Sequence, residues 1–522
     1  MKRDIRQNAR SAIAAVSAAV ATAALVSACA SGGGAGSAAP SPSELAGHRA
    51  ALAQLSFAQG YPTKDEASAL RDELLFQRAT QVYLWALPAV NLYSLKQASE
   101  GRFGSGYTVF PVWKKRLDAK TIIPTPNSDV IYALGYIDVG RDGPMVIDVP
   151  PRQQGILNDF WQRPVEGPSL DGKSYAGDVG FAGPDHGKGG KFLVLPPGYR
   201  GNVPEGYYVY RSRTNNVLVF WRAFFADPAN LAPANGLIEQ TRMYPLGKPA
   251  QPMHFPDASG VPLDMDFPAD GRFFDMLARF VDSETLDTAD ADWRGMMAAI
   301  GIVKGRPFAP DAHTRAILDQ AARTAFRMSH AMMYEDIEMR PGGLIYPDRH
   351  YVSPTRNFAT DLEWKDKSGQ FLDLDSRTAA YSIIYGTSPA MLSQVPGQGA
   401  RFLTTFKDAN GAFLDGSWSY RLHLPPNVPA AIFWSATLYD PQTASGLDNG
   451  QPLPSIGSRD KPVANADGSY DLYFGPQAPA GNAQNWRRTV PEKGFFLMFR
   501  LYGPTEPLFN GSWKPSDLER LD

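Results

Sequence analysis

The sequence predicts a mainly β protein: two jelly-roll-like antiparallel β domains, with an N-terminal helix and a helical connector. Three observations predict it. Gly and Pro number 48 and 44 among 522 residues, about a sixth of the chain against roughly 12% in an average protein, and with no collagen period they read as turns between short strands. Short apolar or alternating runs bounded by such turns fill 108–244 and return after 351. Between them, over 268–340, the apolar spacing changes to three- and four-residue steps, the period of helices. At 43% hydrophobic and 20% charged residues the chain can bury large cores, and a formal charge of −2 with no basic block excludes the electrostatic footprint of a nucleic-acid binder.

The elements follow in order. Lys2, Arg3, Arg6 and Arg10 form a positive segment ahead of an Ala/Val/Leu run, 11–26, that is too short to span a bilayer comfortably. Val26-Ser27-Ala28-Cys29 then resembles the lipobox of bacterial lipoproteins; the alternative is an ordinary secretory signal cut at a nearby small residue. Cys29 is the only cysteine, so no disulfide can form and its expected use is as a lipidated N-terminus. Ala30 follows it, and the absence of Asp there implies, by the same resemblance, outer-membrane sorting with the body facing the periplasm. Two or more lipid chains, at about 0.8 kcal/mol per buried methylene, make such anchoring durable. Residues 1–28 are therefore read as signal peptide and 29–63 as a flexible tether, rich in Gly, Ser, Ala and Pro over 30–46, with a short helix beginning within 48–60.

The N-terminal β domain is placed at 64–267. It opens with a helix over 64–86, where Leu70, Leu74, Leu75, Ala79, Val82 and Ala86 make one stripe, Thr63 or Asp65 caps the start and Pro88 ends or kinks it. The stretch 123–151 holds a polar turn and two strands joined by a Gly-Arg-Asp-Gly-Pro hairpin. Further strands are expected over 144–149, 192–195, 207–212 and 216–224, the last two joined by a hairpin turn at 213–216. The Gly-rich loop 183–190 lacks the spacing and the Ser/Thr of a phosphate loop. The helical connector, 268–345, contains helices over 270–281, 291–300 and 311–333, the last capped by Asp311 with Ile317, Ala321, Thr324 and Met328 on one face. The C-terminal β domain, 346–522, carries strands over 378–385, 401–405, 418–424, 430–439, 469–474 and 495–502.

T-P-N-S-D-V-I-Y at 125–132, G-P-M-V-I-D-V-P at 143–150 and I-G-I-V-K-G-R-P-F at 300–308 resemble the bacterial domain of unknown function twelve-fifty-four. Y-R-L-H-L-P-P-N-V-P at 420–429, F-W-S-A-T-L-Y-D at 433–440, N-A-D-G-S-Y-D-L-Y-F-G-P at 465–476, Asn485-Trp486 and F-R-L-Y-G-P at 499–504 are similar to domain of unknown function twelve-fourteen. The resemblance covers roughly 65–520 and implies two jelly-roll-type domains. It assigns no reaction, and a shared fold carries no function. The chain departs from the family's usual residues at Val130, Ala444 and Arg487.

Candidate chemistry is sparse. Asn127, Asp129 and Tyr132 sit on a turn entering a strand: Asp129 is the candidate acid/base with the other two as partners, or the three form an Asx-turn with Tyr132 in the core. The seven histidines show no H-x-x-x-H or H-E-x-x-H pair, so no metal site and no cofactor is predicted; His423 reads as a satisfied structural histidine. There is no G-x-S-x-G elbow and no G-x-G-x-x-G after a strand. Aromatics crowd the C-terminal half, mostly as sandwich core, and Trp434, Asn485, Trp486 and Arg500 are the candidate ligand contacts there. The expected function is a lipid-anchored protein binding a small molecule or glycan near the domain junction. The alternatives are a hydrolase using carboxylate chemistry around Asp129, or an envelope structural or assembly protein forming a homo-oligomer.

Overall fold

The computed structural model describes residues 42–57, 59–170, 172–285, 291–340, 342–355, 364–365, 368–393 and 395–521. The signal segment, Cys29 and the Gly-rich part of the tether lie outside the described residues. The chain divides into two compact units, 1–75 and 76–522. The first holds a helix, Pro42–Ala53, and the start of a 40-residue helix, Lys64–Phe103. That start is fixed by a reciprocal capping box: Glu66 N donates to Thr63 Oγ1 at 3.2 Å and Thr63 N donates to Glu66 Oε2 at 2.7 Å.

The second unit holds both β domains. Pro88 sits inside the long helix and does not end it. Proline cannot donate to the carbonyl four residues earlier, which leaves Leu84 O free. Thr378 Oγ1 donates to that carbonyl at 3.2 Å, and Arg377 donates to the neighbouring Trp85 O at 2.5 Å. Tertiary partners thus replace the lost helical bond, which a reading of the helix alone could not foresee.

The N-terminal domain is a sandwich. One sheet orders Ile131–Asp138, Asn216–Ala223, Gln154–Asp159 and Asp178–Gly180; the other orders Arg242–Pro245, Met145–Val149, Gly190–Leu195, Tyr208–Arg211, Glu166–Leu170 and Lys173–Ala176. Within these two sheets every pairing is antiparallel except Gly190–Leu195 with Tyr208–Arg211, and a separate short pair, Thr121–Ile122 with Leu263–Asp264, is parallel. Ile131, Ala133, Val219 and Trp221 from the first sheet meet Met145, Ile147, Phe192 and Val194 from the second in one core. Two expected hairpins are corrected here. Ile131–Asp138 and Met145–Val149 lie in different sheets, so Gly140–Pro144 is a crossover, and the turn after Tyr208–Arg211 likewise carries the chain to the opposite sheet. All but the last residue of Ile131–Asp138 is buried, so its pattern cannot disclose which strand lies beside it.

The C-terminal sandwich pairs a sheet of Ala400–Thr405, Phe496–Pro504, Ala430–Tyr439 and Ser455–Gly457 with a sheet of Trp486–Arg488, Tyr470–Gly475, Tyr420–Leu424 and Glu519–Arg520. Between the domains in sequence run helices Arg272–Ser283, Ala291–Ala299 and Ala312–Tyr334, the last capped by Asp311, whose carboxylate accepts from Thr314 N at 2.7 Å. Its buried side is Leu318, Ala321, Ala322, Ala325, Ser329 and Met333; of the expected stripe Ala321 is buried, Ile317 and Thr324 are half-buried and Met328 is exposed. The expected strand over 378–385 is instead a helix, Leu374–Tyr381. Asp373 caps it by accepting from Ser376 N at 3.0 Å, and this local cap outweighs the β propensity of Thr378 and Tyr381.

Candidate functional site

Strand alternation builds the site. On Asn216–Ala223, Val217, Val219 and Trp221 face the sandwich core, which sends Phe220 and Arg222 to the outer face. Arg222 stands opposite Tyr132 in the neighbouring strand. On Phe496–Pro504, Leu497, Phe499 and Leu501 face their own core, so Met498, Arg500 and Tyr502 point outward, with Phe402 opposite Arg500. These two outer faces meet. They enclose a cavity of about 40 Å³, whose walls are completed by Thr125, Pro354, Thr355, Ile384, Tyr385 and Met391.

The segment carrying Ile384 and Tyr385 is pinned to the N-terminal sheet. Asn158 Nδ2 donates to Thr387 O at 2.8 Å and its Oδ1 accepts from Thr387 N at 3.0 Å; Gln162 Oε1 accepts from Gly386 N at 2.8 Å. Gly386 has φ +64°, and a Cβ there would come within 3.0 Å of Ile156, so glycine is needed for this close approach. Arg401 donates to the carbonyls of Met391 and Leu392, each at 2.9 Å, and holds the turn bearing Met391.

The polar turn before Ile131 docks into the C-terminal sheet. Thr125 adopts φ +39°, a strained conformation for a β-branched residue. It is held there by three bonds: its N–H to Ala444 O at 2.7 Å, its hydroxyl to Ile383 O at 2.8 Å, and its carbonyl accepting from Arg500 at 2.9 Å. Ala444, one of the departures from the family pattern, therefore contacts this turn. Tyr439 OH donates to Pro126 O at 2.5 Å, and Asn127 Nδ2 donates to Tyr502 OH at 2.8 Å.

Asn127 forms the Asx-turn: its Oδ1 accepts from Asp129 N at 2.8 Å, while its own N–H donates to Tyr132 OH at 3.1 Å. Asp129 is 2% exposed and pairs with Arg116 at 2.5 Å. Its carbonyl accepts from Arg459 at 2.7 Å, and Arg459 lies over the Phe433 and Phe225 rings at 3.9 and 4.7 Å. Burial pushes the Arg459 guanidinium down to about 10. Arg487, the one charged departure, stands 3.8 Å from Asp460, which is 3.9 Å from Arg116. Asp129 thus belongs to a buried charge network that joins the two sandwiches, and it does not line the cavity.

The other expected site residues divide. Tyr132 and Arg500 line the cavity, and Asn127 supports it through Tyr502. Trp434 faces the C-terminal core beside Tyr470 and Phe499. Asn485 is buried and clamps backbone, accepting from Val463 N at 2.7 Å and donating to Val463 O at 2.8 Å and Asp471 O at 3.0 Å. Trp486 is half-buried and donates to Gly475 O at 2.9 Å. His423 pairs with Asp471 at 2.8 Å.

Arg222 and Tyr385 are cavity residues that the sequence reading did not single out. A signal for the first exists: F-W-R-A-F at 220–224 and M-F-R-L-Y at 498–502 both place one arginine within an apolar strand. A charge in such a run needs a special environment. Burial raises the pKa of Tyr132, against the pull of the Arg222 and Arg500 charges, and raises that of Tyr385 well above the usual value, so both remain neutral phenols. Behind Arg222, burial pushes the Asp178 carboxyl up to about 7, against the Ser388 hydroxyl, the Ala390 amide and the Arg222 charge.

Residues 108–245 match the family described as "Protein of unknown function (DUF1254)" and residues 399–506 the family described as "Protein of unknown function (DUF1214)". No curated protein matches the chain. Among solved structures, the VPA0106 protein of Vibrio parahaemolyticus is similar over 86% of this chain and 100% of its own, at 19% identity and a TM-score of 0.49. An uncharacterized protein from Burkholderia cenocepacia is similar over 88% of this chain and 97% of its own, at 14% identity and a TM-score of 0.39.

Proposed function

We propose, for a chain that carries a DUF1254 region and a DUF1214 region in tandem, that the two sandwiches together hold a small organic molecule in the cavity between them. The observation that carries this reading is the mixed origin of the walls: Tyr132 and Arg222 come from one family region and Arg500 and Tyr502 from the other. The cavity is small, about 40 Å³, and its apolar walls with a few fixed polar groups have the make-up of a small-molecule site. The strained Thr125 and the close approach at Gly386 support it, since both hold wall segments in place. A small organic molecule is favoured over a glycan because the Asn485 amide, the expected reader of sugar hydroxyls, is engaged with backbone. The hydrolase alternative loses its named acid, because Asp129 is engaged by Arg116. The same proposal includes anchoring through lipid on Cys29, at the outer membrane and facing the periplasm, supported by the basic segment, apolar run and lipobox-like residues at 1–29.

The test is a thermal-shift screen of purified protein against small polar–apolar compounds, repeated on Met391→Trp, which fills the mouth. A ligand at a hundredfold excess over its Kd stabilises the folded state by about 2.7 kcal/mol. The expected result is a hit that Met391→Trp abolishes. Hits that shift both proteins alike would put binding elsewhere and end this reading.

A further inference from the structure

Resting on the reading of the junction cavity as a ligand site, we propose that its ligand is a small organic acid bound as the carboxylate, gripped by the Arg222 guanidinium. Arg222 is 9% exposed and lines the cavity. Its Nε is closed off from solvent and has no hydrogen-bond partner. Among the described residues no acceptor meets any of its N–H groups and no acid pairs with it; its one specific contact is the Phe220 ring, 4.7 Å from the guanidinium carbon. A buried cation without an anion is among the costliest placements a fold can make.

Arg500 faces the same space and is 2% exposed. All its hydrogen bonds go to neutral groups: the Thr125 and Pro126 carbonyls and the Thr437 and Tyr439 hydroxyls. Two facing sheets therefore each bring an unneutralised positive charge to one cavity. Neither nearby carboxylate forms an ion pair with Arg222: Asp129 is paired with Arg116, and Asp178 accepts from Ala390 N at 2.9 Å, its other oxygen buried without a hydrogen-bond partner and feeling the Arg222 charge from beyond ion-pair range.

The walls also hold a free donor. The Tyr385 hydroxyl is buried, has no hydrogen-bond partner, and stays protonated. A carboxylate offers what these groups lack: two oxygens matched to the guanidinium fork, with a lone pair left for the phenol. Beside hydroxyl groups such as those of Tyr132 and Thr355, the lining is largely apolar, with Phe220, Phe402, Met391 and Met498. It favours a short aliphatic or aromatic body behind the carboxylate and disfavours a strongly hydrated inorganic anion.

The experiment is calorimetric titration of the purified protein with phenylacetate and hexanoate, with 2-phenylethanol and hexan-1-ol as uncharged counterparts and with inorganic phosphate. The acids are expected to bind, the alcohols roughly 30-fold more weakly or worse, and phosphate not at all. Arg222→Met is expected to cost about 30-fold or more in acid affinity, and Tyr385→Phe about 3- to 10-fold, with circular dichroism showing both folded. Alcohols that bind as well as the acids, phosphate binding in their place, or unchanged acid affinity in folded Arg222→Met would overturn the carboxylate inference while leaving the cavity reading intact. Binding of none of these compounds to the wild type would overturn the carboxylate inference; if the Met391→Trp screen is also blank, the cavity reading falls with it. Should Arg222→Met fail to fold, the acid-to-alcohol ratio and Tyr385→Phe decide.

Discussion

Asn127 donates from Nδ2 to the Tyr502 hydroxyl at 2.8 Å, a bond between residues 375 apart in sequence that joins the turn of one sandwich to an inner strand of the other. Both residues are buried, and Tyr502 stacks on Phe433 with ring centroids 4.3 Å apart. The two families are thus coupled as one body at the place where the cavity forms.

That coupling is measurable. Asn127→Ala and Tyr502→Phe are each expected to cost about 1–3 kcal/mol, because each strands a buried polar partner. A double-mutant cycle by urea unfolding should return an interaction of about 0.5–1.5 kcal/mol; strict additivity would mean the bond contributes nothing.

Asp129 is predicted to matter for stability. Removing one partner of the buried Arg116–Asp129 pair leaves an uncompensated charge, so Asp129→Asn should cost about 3–5 kcal/mol in chemical denaturation. A variant of unchanged stability that had lost a measurable hydrolytic activity would instead restore Asp129 as an acid/base group.

Asp178 predicts a pH dependence. Its folded pKa, about 7, lies above its ordinary value of 3.8, so between those values the folded state holds the proton that the unfolded state releases. Its contribution is fully present below about pH 4 and is lost as pH rises through 7. Asp178→Asn removes this titration. Relative to wild type it should gain on the order of 2–4 kcal/mol between pH 4 and pH 8, read from melting curves. Parallel pH profiles for the two proteins would contradict this.

Lipidation has its own assay. Wild-type precursor is expected to incorporate labelled palmitate and to fractionate with membranes, whereas Cys29→Ala does neither. Equal labelling of both would remove Cys29 as the anchor.

Much of the fold was legible in sequence. Strand 430–439 was placed to the residue because Pro429 and Asp440 bound an apolar run, and Asp311 was read correctly as a cap because its side chain acts on the next turn alone. The helix through Pro88 and the crossover at Gly140–Pro144 depart from expectation because each depends on partners distant in sequence, which local propensity does not contain. The helix Leu374–Tyr381 departs for a local reason, the Asp373 cap on Ser376 N. Of the candidate site residues, Tyr132 and Arg500 line the cavity and Asn127 bonds its wall residue Tyr502; a polar turn and a charge inside a strand stand out locally. Tyr385 was not among the candidates, since a tyrosine near an expected strand looks like ordinary core.

By itself the sequence determined the mainly β class and the helical stretch between the two β halves, which follow from periodicity, and its motifs carried the resemblance to the two families; it offered the Asx-turn at 127–129 as one of two readings. Only the tertiary structure decided that the outer faces of two sheets meet, that Arg222 and Arg500 share one cavity, and that Asp129 is tied to Arg116. Alternation along a strand says which residues point away from a core. What waits on the other side is fixed by how separate sheets dock, and that is a property of the whole chain.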